Sequence, residues 1–152
     1  MSIKSKYSHT NLIAKNWREL ARFYQDVFDC VHVPPERHYK GIELEQGTGI
    51  PGSQLDGVHL RLPGYDENGP TLEIFTYSIL KEKPATAVNR PGFGHIAFIV
   101  DDVAQARTEV LAAGGGSVGE IVTHQPSPQT KVTWCYVTDP EGNIIELQSW
   151  SK

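Results

Sequence analysis

Cysteine is nearly missing from this chain and methionine occurs once. The two cysteines, Cys30 and Cys135, have no spacing suited to a zinc site or a disulfide framework, so they read as reduced thiols packed as small hydrophobes. No apolar run approaches the roughly 18 residues needed to cross a bilayer, which argues against a membrane span. The opening Met1-Ser2-Ile3-Lys4-Ser5-Lys6 lacks the apolar stretch of a secretory signal, and together with the thiols this points to the cytoplasm. Basic residues are not in excess. A net charge of −4 gives no global attraction for a polyanion, so nucleic acid is not an expected partner. With 39% apolar and 21% charged residues, the 152 positions have a globular composition and suffice for one domain with a real core.

The chain also repeats itself. His9 lies in Tyr7-Ser8-His9-Thr10-Asn11-Leu12-Ile13 and His95 in Phe93-Gly94-His95-Ile96-Ala97-Phe98-Ile99, and each precedes a helix-like pattern. Asn16-Trp17-Arg18-Glu19 reads as a capping box, and Asp102-Val103-Ala104-Gln105 repeats it with Gln in the reaching-back position. The interval from His9 to His95 equals that from Asn16 to Asp102. Trp17, Leu20, Ala21, Tyr24, Val27 and Phe28 form the apolar stripe of the first helix. Ala106, Val110 and Leu111 mark the second, which stops at Gly114-Gly115-Gly116.

Glu73 in Thr71-Leu72-Glu73-Ile74-Phe75 and Glu146 in Ile144-Ile145-Glu146-Leu147-Gln148 are lone carboxylates inside strand-like runs. They stand closer together than the histidines do, so the first half holds extra residues, assigned to the Gly- and Pro-punctuated stretch 41–57. A turn is expected from Pro63-Gly64 to Gly69-Pro70, and a hairpin at Asp139-Pro140-Glu141-Gly142-Asn143. Each half therefore reads β-α-β-β-β. Module 1 covers about residues 5–80, a linker 81–91, and module 2 about 92–150 of a single domain.

Side chains of a strand alternate between its two faces. Asn11 and Ile13 accompany His9, Phe75 and Tyr77 accompany Glu73, Ala97 and Ile99 accompany His95, and Gln148 and Trp150 accompany Glu146. The opposite faces (Leu72 and Ile74; Ile96 and Phe98; Ile145 and Leu147) are aliphatic enough to pack on the helices. The four polar residues thus belong to the uncovered face.

A lone strand histidine is ordinarily a hydrogen-bonded or half-exposed residue, and a lone glutamate ordinarily faces solvent. Recurrence at equivalent sites of a repeat changes that reading. Uncompensated buried carboxylates cost several kcal/mol each and call for a cation. His9, Glu73, His95 and Glu146 together would supply four ligands and cancel a divalent charge. His32, His38 and His124 have no repeat partner and are expected on the surface or in loops. His59 and Arg61 share one face of a strand, suited either to hold an anionic group in a cavity or to face solvent.

These motifs resemble the vicinal oxygen chelate superfamily, which includes glyoxalase I, methylmalonyl-CoA epimerase, extradiol dioxygenases, and fosfomycin- and bleomycin-resistance proteins. The similarity rests on His9 with the helix ending Phe23-Tyr24-Gln25-Asp26-Val27-Phe28, on Gly94-His95-Ile96-Ala97-Phe98 with Val100-Asp101-Asp102, and on the 139–143 hairpin with Ile145-Glu146-Leu147. It covers nearly the whole chain. It implies an α+β fold of two βαβββ modules, a curved mixed sheet around a metal cavity with helices on the convex face. The set His, Glu, His, Glu is most similar to bacterial glyoxalase I; methylmalonyl-CoA epimerases usually carry Gln at the place of Glu73. One departure is Ile13, where glyoxalase I has an arginine that holds glutathione, and this argues against glutathione dependence.

The resemblance implies one divalent metal ion (Ni, Co, Zn, Mn or Fe) and a small-molecule substrate with vicinal oxygens, in a chain that pairs as a homodimer. Trp134, Tyr136 and Trp150 suit either an interface or the core. The implied reaction is that of a glyoxalase-like lyase, isomerase or epimerase, abstracting a proton alpha to a carbonyl via an enediolate. Glu146 is the expected base, with Glu73 able to act from the opposite face. Asn11, His59, Arg61, Phe75, Tyr77 and Gln148 are candidate substrate contacts. Two alternatives stay open: an Fe(II)-dependent extradiol-type dioxygenase using His9, His95 and Glu146, and a non-catalytic small-molecule binding or resistance protein.

Overall fold

Asn16 sets the first helix. In the computed structural model, which describes residues 2–152, its side-chain oxygen accepts from the Glu19 backbone N–H at 3.2 Å, and its amide donates to Glu19 Oε2 at 3.1 Å. Helix α1 then runs Trp17–Phe28. It belongs to the first of two compact units, which ends at Glu82; the second is Lys83–Lys152.

The first unit comprises β1 (His9–Ile13), α1, β2 (Val31–Lys40), α2 (Ile42–Thr48), β3 (Gln54–Arg61) and β4 (Thr71–Tyr77). Its four strands lie in the order β1-β4-β3-β2, with β1 and β4 parallel and the other pairs antiparallel. Alternation works as the sequence implies. Leu72, Ile74, Leu60 and Val58 are buried with Leu20 and Tyr24 of α1, which packs on β3 and β4. Edge-on ring contacts of Phe23 with Tyr24 and Phe28, at 5.2 and 5.9 Å, complete that core. Phe23, rather than the half-buried Val27, belongs to the buried stripe of α1. The extra stretch 41–57 contains α2 and the start of β3. Between Val33 and Arg37 strand β2 has a bulge: four steps along β2 span two along β3, from His59 to Gly57. Pro34 and Pro35 fall there, where a ladder has no use for their missing N–H groups.

The second unit comprises β5 (Ile96–Ile99), α3 (Val103–Ala112), β6 (Gly116–Ser117), β7 (Val122–Ser127), β8 (Thr130–Thr138) and β9 (Ile144–Ser151). Its order is β5-β9-β8-β6, with β7 also on β8, so the strand after the helix comes in two pieces on one partner. Asp102 caps α3 by accepting from the Gln105 N–H at 2.9 Å. The Gln105 amide does not reach back as the sequence suggests; it donates to Glu109 Oε1, one turn on. Val103 and Val110 are the buried positions of α3, and Leu111, expected in the stripe, is 42% exposed. Just beyond the helix, Gly115 has no room for a side chain, since a Cβ there would lie 2.4 Å from the Thr138 carbonyl oxygen. Asp139 is buried at the following turn and accepts from the backbone N–H groups of Glu141 and Asn143 and from the Asn143 amide.

Residues 81–91 carry no helix or strand, yet Lys83 Nζ donates to the Glu141 carbonyl at 2.8 Å and to Asn143 Oδ1 at 2.7 Å. The later part of this stretch is therefore tied to the β8–β9 turn. His32 and His38 stand on β2 and His124 on β7, exposed as expected but on strands rather than in loops. Trp134 and Tyr136 are half-buried, whereas Trp150 is exposed. Among the described residues no helix is long and apolar enough to cross a membrane.

Candidate metal centre

Each unit brings together one histidine and one glutamate of the sequence-predicted set of four. In the first, β1 runs parallel to β4 with Asn11 opposite Glu73, which puts His9 diagonally beside the carboxylate. His9 Nδ1 lies 3.4 Å from Glu73 Oε1. In the second, β5 runs parallel to β9 with Ala97 opposite Glu146, the repeat-equivalent register. His95 Nε2 lies 3.1 Å from Glu146 Oε2. Two ligands bound at adjacent positions of one cation, with bonds of about 2.1 Å, stand roughly 3 Å apart. Both pairs have about that separation and the right donor chemistry, an imidazole nitrogen and a carboxylate oxygen, so the residues fit a divalent cation. Among the described residues, no three His, Cys, Asp or Glu side chains form a ready-made cation cluster.

The two carboxylates differ in their surroundings. Glu73 is one of three buried polar residues among the described residues, with Ser53 and Asp139. A second imidazole reaches the same oxygen: His59, opposite Glu73 in the β3–β4 register, places Nε2 3.3 Å from Oε1. In the second unit Tyr136 occupies the position opposite Glu146, its ring centroid 5.1 Å from that of His95. Glu146 is also the more accessible, its side chain 20% exposed against 11% for Glu73. Trp134 extends this ring stack along β8, 5.1 Å from Tyr136.

Other candidate residues separate in the same way. Asn11 donates its amide to the Glu73 backbone carbonyl at 3.3 Å, tying β1 to β4. Phe75 is buried with its ring 5.7 Å from that of His59. Gly57 makes room for Phe75, since a Cβ at Gly57 would lie 2.2 Å from Phe75 Cδ1. Arg61 and Tyr77 are half-buried on strands β3 and β4. Gln148 Oε1 accepts from the Trp150 indole N–H. His59 was open between anion binding and solvent, and it instead stands between Glu73 and Arg37, whose Nη2 lies 3.4 Å from His59 Nδ1. Burial holds the His59 pKa below its usual value, Glu73 opposes that shift, and Arg37 and His9 add to it. Sequence reasoning missed Arg37. The only signal was its parity with His59 once the bulge is counted, and the two prolines conceal the strand.

The model of the glyoxalase/bleomycin resistance protein/dioxygenase superfamily matches residues 6–147. A solved glyoxalase family protein from Bacillus cereus superposes with a TM-score of 0.81 at 16% identity, covering 99% of this chain and 97% of that one. A glyoxalase/bleomycin resistance protein/dioxygenase domain from Frankia gives 0.61 at 17% identity, over 99% and 100% of the two chains. The fosfomycin resistance protein FosX from Listeria monocytogenes, solved with Mn(II) and sulfate, gives 0.51 at 16% identity, over 97% and 93%. No curated protein matches the sequence. At these identities the structural likenesses speak for the fold alone.

Proposed function

The chain belongs to the glyoxalase/bleomycin resistance/dioxygenase superfamily, and from that premise we propose that it is a metal-dependent lyase or isomerase that removes a proton alpha to a carbonyl. The substrate class is a small molecule with vicinal oxygens. The observation that carries this reading is the duplicated imidazole–carboxylate pair, His9 with Glu73 and His95 with Glu146. Each pair would offer an imidazole nitrogen and a carboxylate oxygen to a divalent cation, which when bound would act as a Lewis acid on the substrate's carbonyl oxygen.

The protein's own part is proton transfer, and the two carboxylates are suited to different tasks. Glu73 is buried and met by two imidazoles at one oxygen, which favours a fixed anchor. Glu146 has one imidazole neighbour and a more accessible carboxylate, which favours the mobile base that takes the proton. His95 lies against Tyr136, ring centroids 5.1 Å apart and tilted, a contact that favours one ring orientation. The buried Glu73 beside His9 also favours a four-residue set over a dioxygenase set that leaves Glu73 out.

The test is metal analysis of the purified protein coupled to deuterium wash-in across α-hydroxy carbonyl compounds. Expected are stoichiometric divalent metal, exchange at the α-carbon, and loss of exchange in EDTA. Glu146→Gln should abolish exchange with metal still bound, whereas Glu73→Gln should lower metal affinity first. Absence of exchange with Ni, Co, Zn, Mn or Fe overturns the proposal. Ligand binding that persists in EDTA and in Glu146→Gln would make the chain a binding protein instead.

A further inference from the structure

Across the four-stranded sheet of the first unit runs a polar line, from His9 on β1 through Glu73 on β4 and His59 on β3 to Arg37 on β2. Its far end settles a protonation question. A guanidinium carries only N–H donors and no acceptor. Because Arg37 Nη2 meets His59 Nδ1 at 3.4 Å, that ring nitrogen has to present its lone pair. A neutral His59 then carries its single proton on Nε2, the nitrogen 3.3 Å from Glu73 Oε1.

We propose that Arg37 and His59 are positioning residues for Glu73: Arg37 fixes the Nε2–H tautomer of His59, which makes His59 a donor to the carboxylate and bars it from acting as a further metal ligand. The proposal rests on the reading of Glu73 as a metal-holding carboxylate. Two features of the fold support it. The β2 bulge puts Arg37, rather than a residue two positions earlier, opposite Gly57, and from there its guanidinium reaches His59. The Phe75 ring lies beside the imidazole, centroids 5.7 Å apart, and Gly57 leaves space for that ring. The repeat-equivalent residue in the second unit is Tyr136, so this device acts on one carboxylate of the two.

The test begins with long-range 1H–15N correlation spectra of the full-length protein without added metal, His59 being assigned by its loss in His59→Gln. Expected is one protonated-type nitrogen at Nε2 and one lone-pair nitrogen at Nδ1, with Arg37→Met losing that preference. A proton on Nδ1, an imidazolium, or an unchanged tautomer in Arg37→Met overturns the proposal. The second measurement is Co(II) titration. Partners of this kind commonly change metal affinity by about 10- to 100-fold, so His59→Leu should bind more weakly by such a factor, while His59→Gln, which keeps an N–H donor, should recover most of it. Arg37→Met should change the Co(II) visible spectrum as His59 becomes free to coordinate. Equal affinities for His59→Leu and wild type overturn the positioning role. If no variant, wild type included, binds Co(II), the functional reading and this proposal's claim on Glu73 fail together, while the tautomer result separately reports whether Arg37 controls His59.

Discussion

Gly57→Ala is a small change that the close approach of β3 and β4 makes demanding. The added methyl would lie 2.2 Å from the Ile74 carbonyl oxygen, 2.2 Å from Phe75 Cδ1 and 2.8 Å from Phe75 Cα. Turning the Phe75 ring relieves only one of these contacts; the others involve the backbone of β4, which must separate from β3 by about 1 Å to restore ordinary contact. Overpacking of this kind costs about 1–3 kcal/mol, and a backbone obstacle puts this case near the upper end. At roughly 2–4 °C per kcal/mol for a chain of this size, the unfolding midpoint should fall by about 6–12 °C. Urea denaturation should show a lower midpoint with an unchanged slope. Gly47→Ala is the control, since nothing lies within 4 Å of a Cβ there and the position is inside α2; it should be neutral or stabilising by up to about 1 kcal/mol. If Gly57→Ala and Gly47→Ala unfold within about 0.5 kcal/mol of each other, the close approach of β3 and β4 described above is wrong.

Three further outcomes are expected. Asp139→Ala strands the N–H groups of Glu141 and Asn143 at a buried turn, and should cost about 2–4 kcal/mol in a denaturant titration; a loss under about 0.5 kcal/mol would contradict that role. Cys30 and Cys135 should resist a thiol reagent at pH 8 until denaturant is added, because both are buried; fast labelling of the folded protein would contradict this. Burial, with a smaller contribution from Asp29, pushes the Cys30 pKa up to about 12. The unfolded chain therefore loses this proton first: the stability contribution is intact below the ordinary thiol pKa of roughly 8.5 and falls as pH rises from there toward 12, an alkaline loss that Cys30→Ala should reduce.

Much of this was legible because local chemistry and burial agreed. The caps at Asn16 and Asp102, the alternation around Glu73 and Glu146, and the turn at Asp139 all follow from short-range rules. What escaped the sequence depends on partners far along the chain. Strand β2 contains Pro34-Pro35 and an offset of two residues, so its period is broken in sequence and restored only against β3. The polar segment β7, Val122-Thr123-His124-Gln125-Pro126-Ser127, has no apolar alternation because it pairs only with β8 and is largely exposed. Helix α3 misleads by a different route: Leu111 sits near its end, facing outward. For the candidate site, recurrence of His and Glu was visible, but the partner that distinguishes Glu73 was not. His59 becomes a neighbour of Glu73 only through the strand register.

The parallel pairing of β1 with β4, and of β5 with β9, dictates when each imidazole meets its carboxylate. A histidine near the start of a unit waits for the last strand of that unit to arrive, and on the ribosome its partner is still unmade. Neither pair therefore exists before the last strand of its unit is in place. On the proposed reading an ion held by these pairs would load late, after the last strand of each unit has joined its sheet.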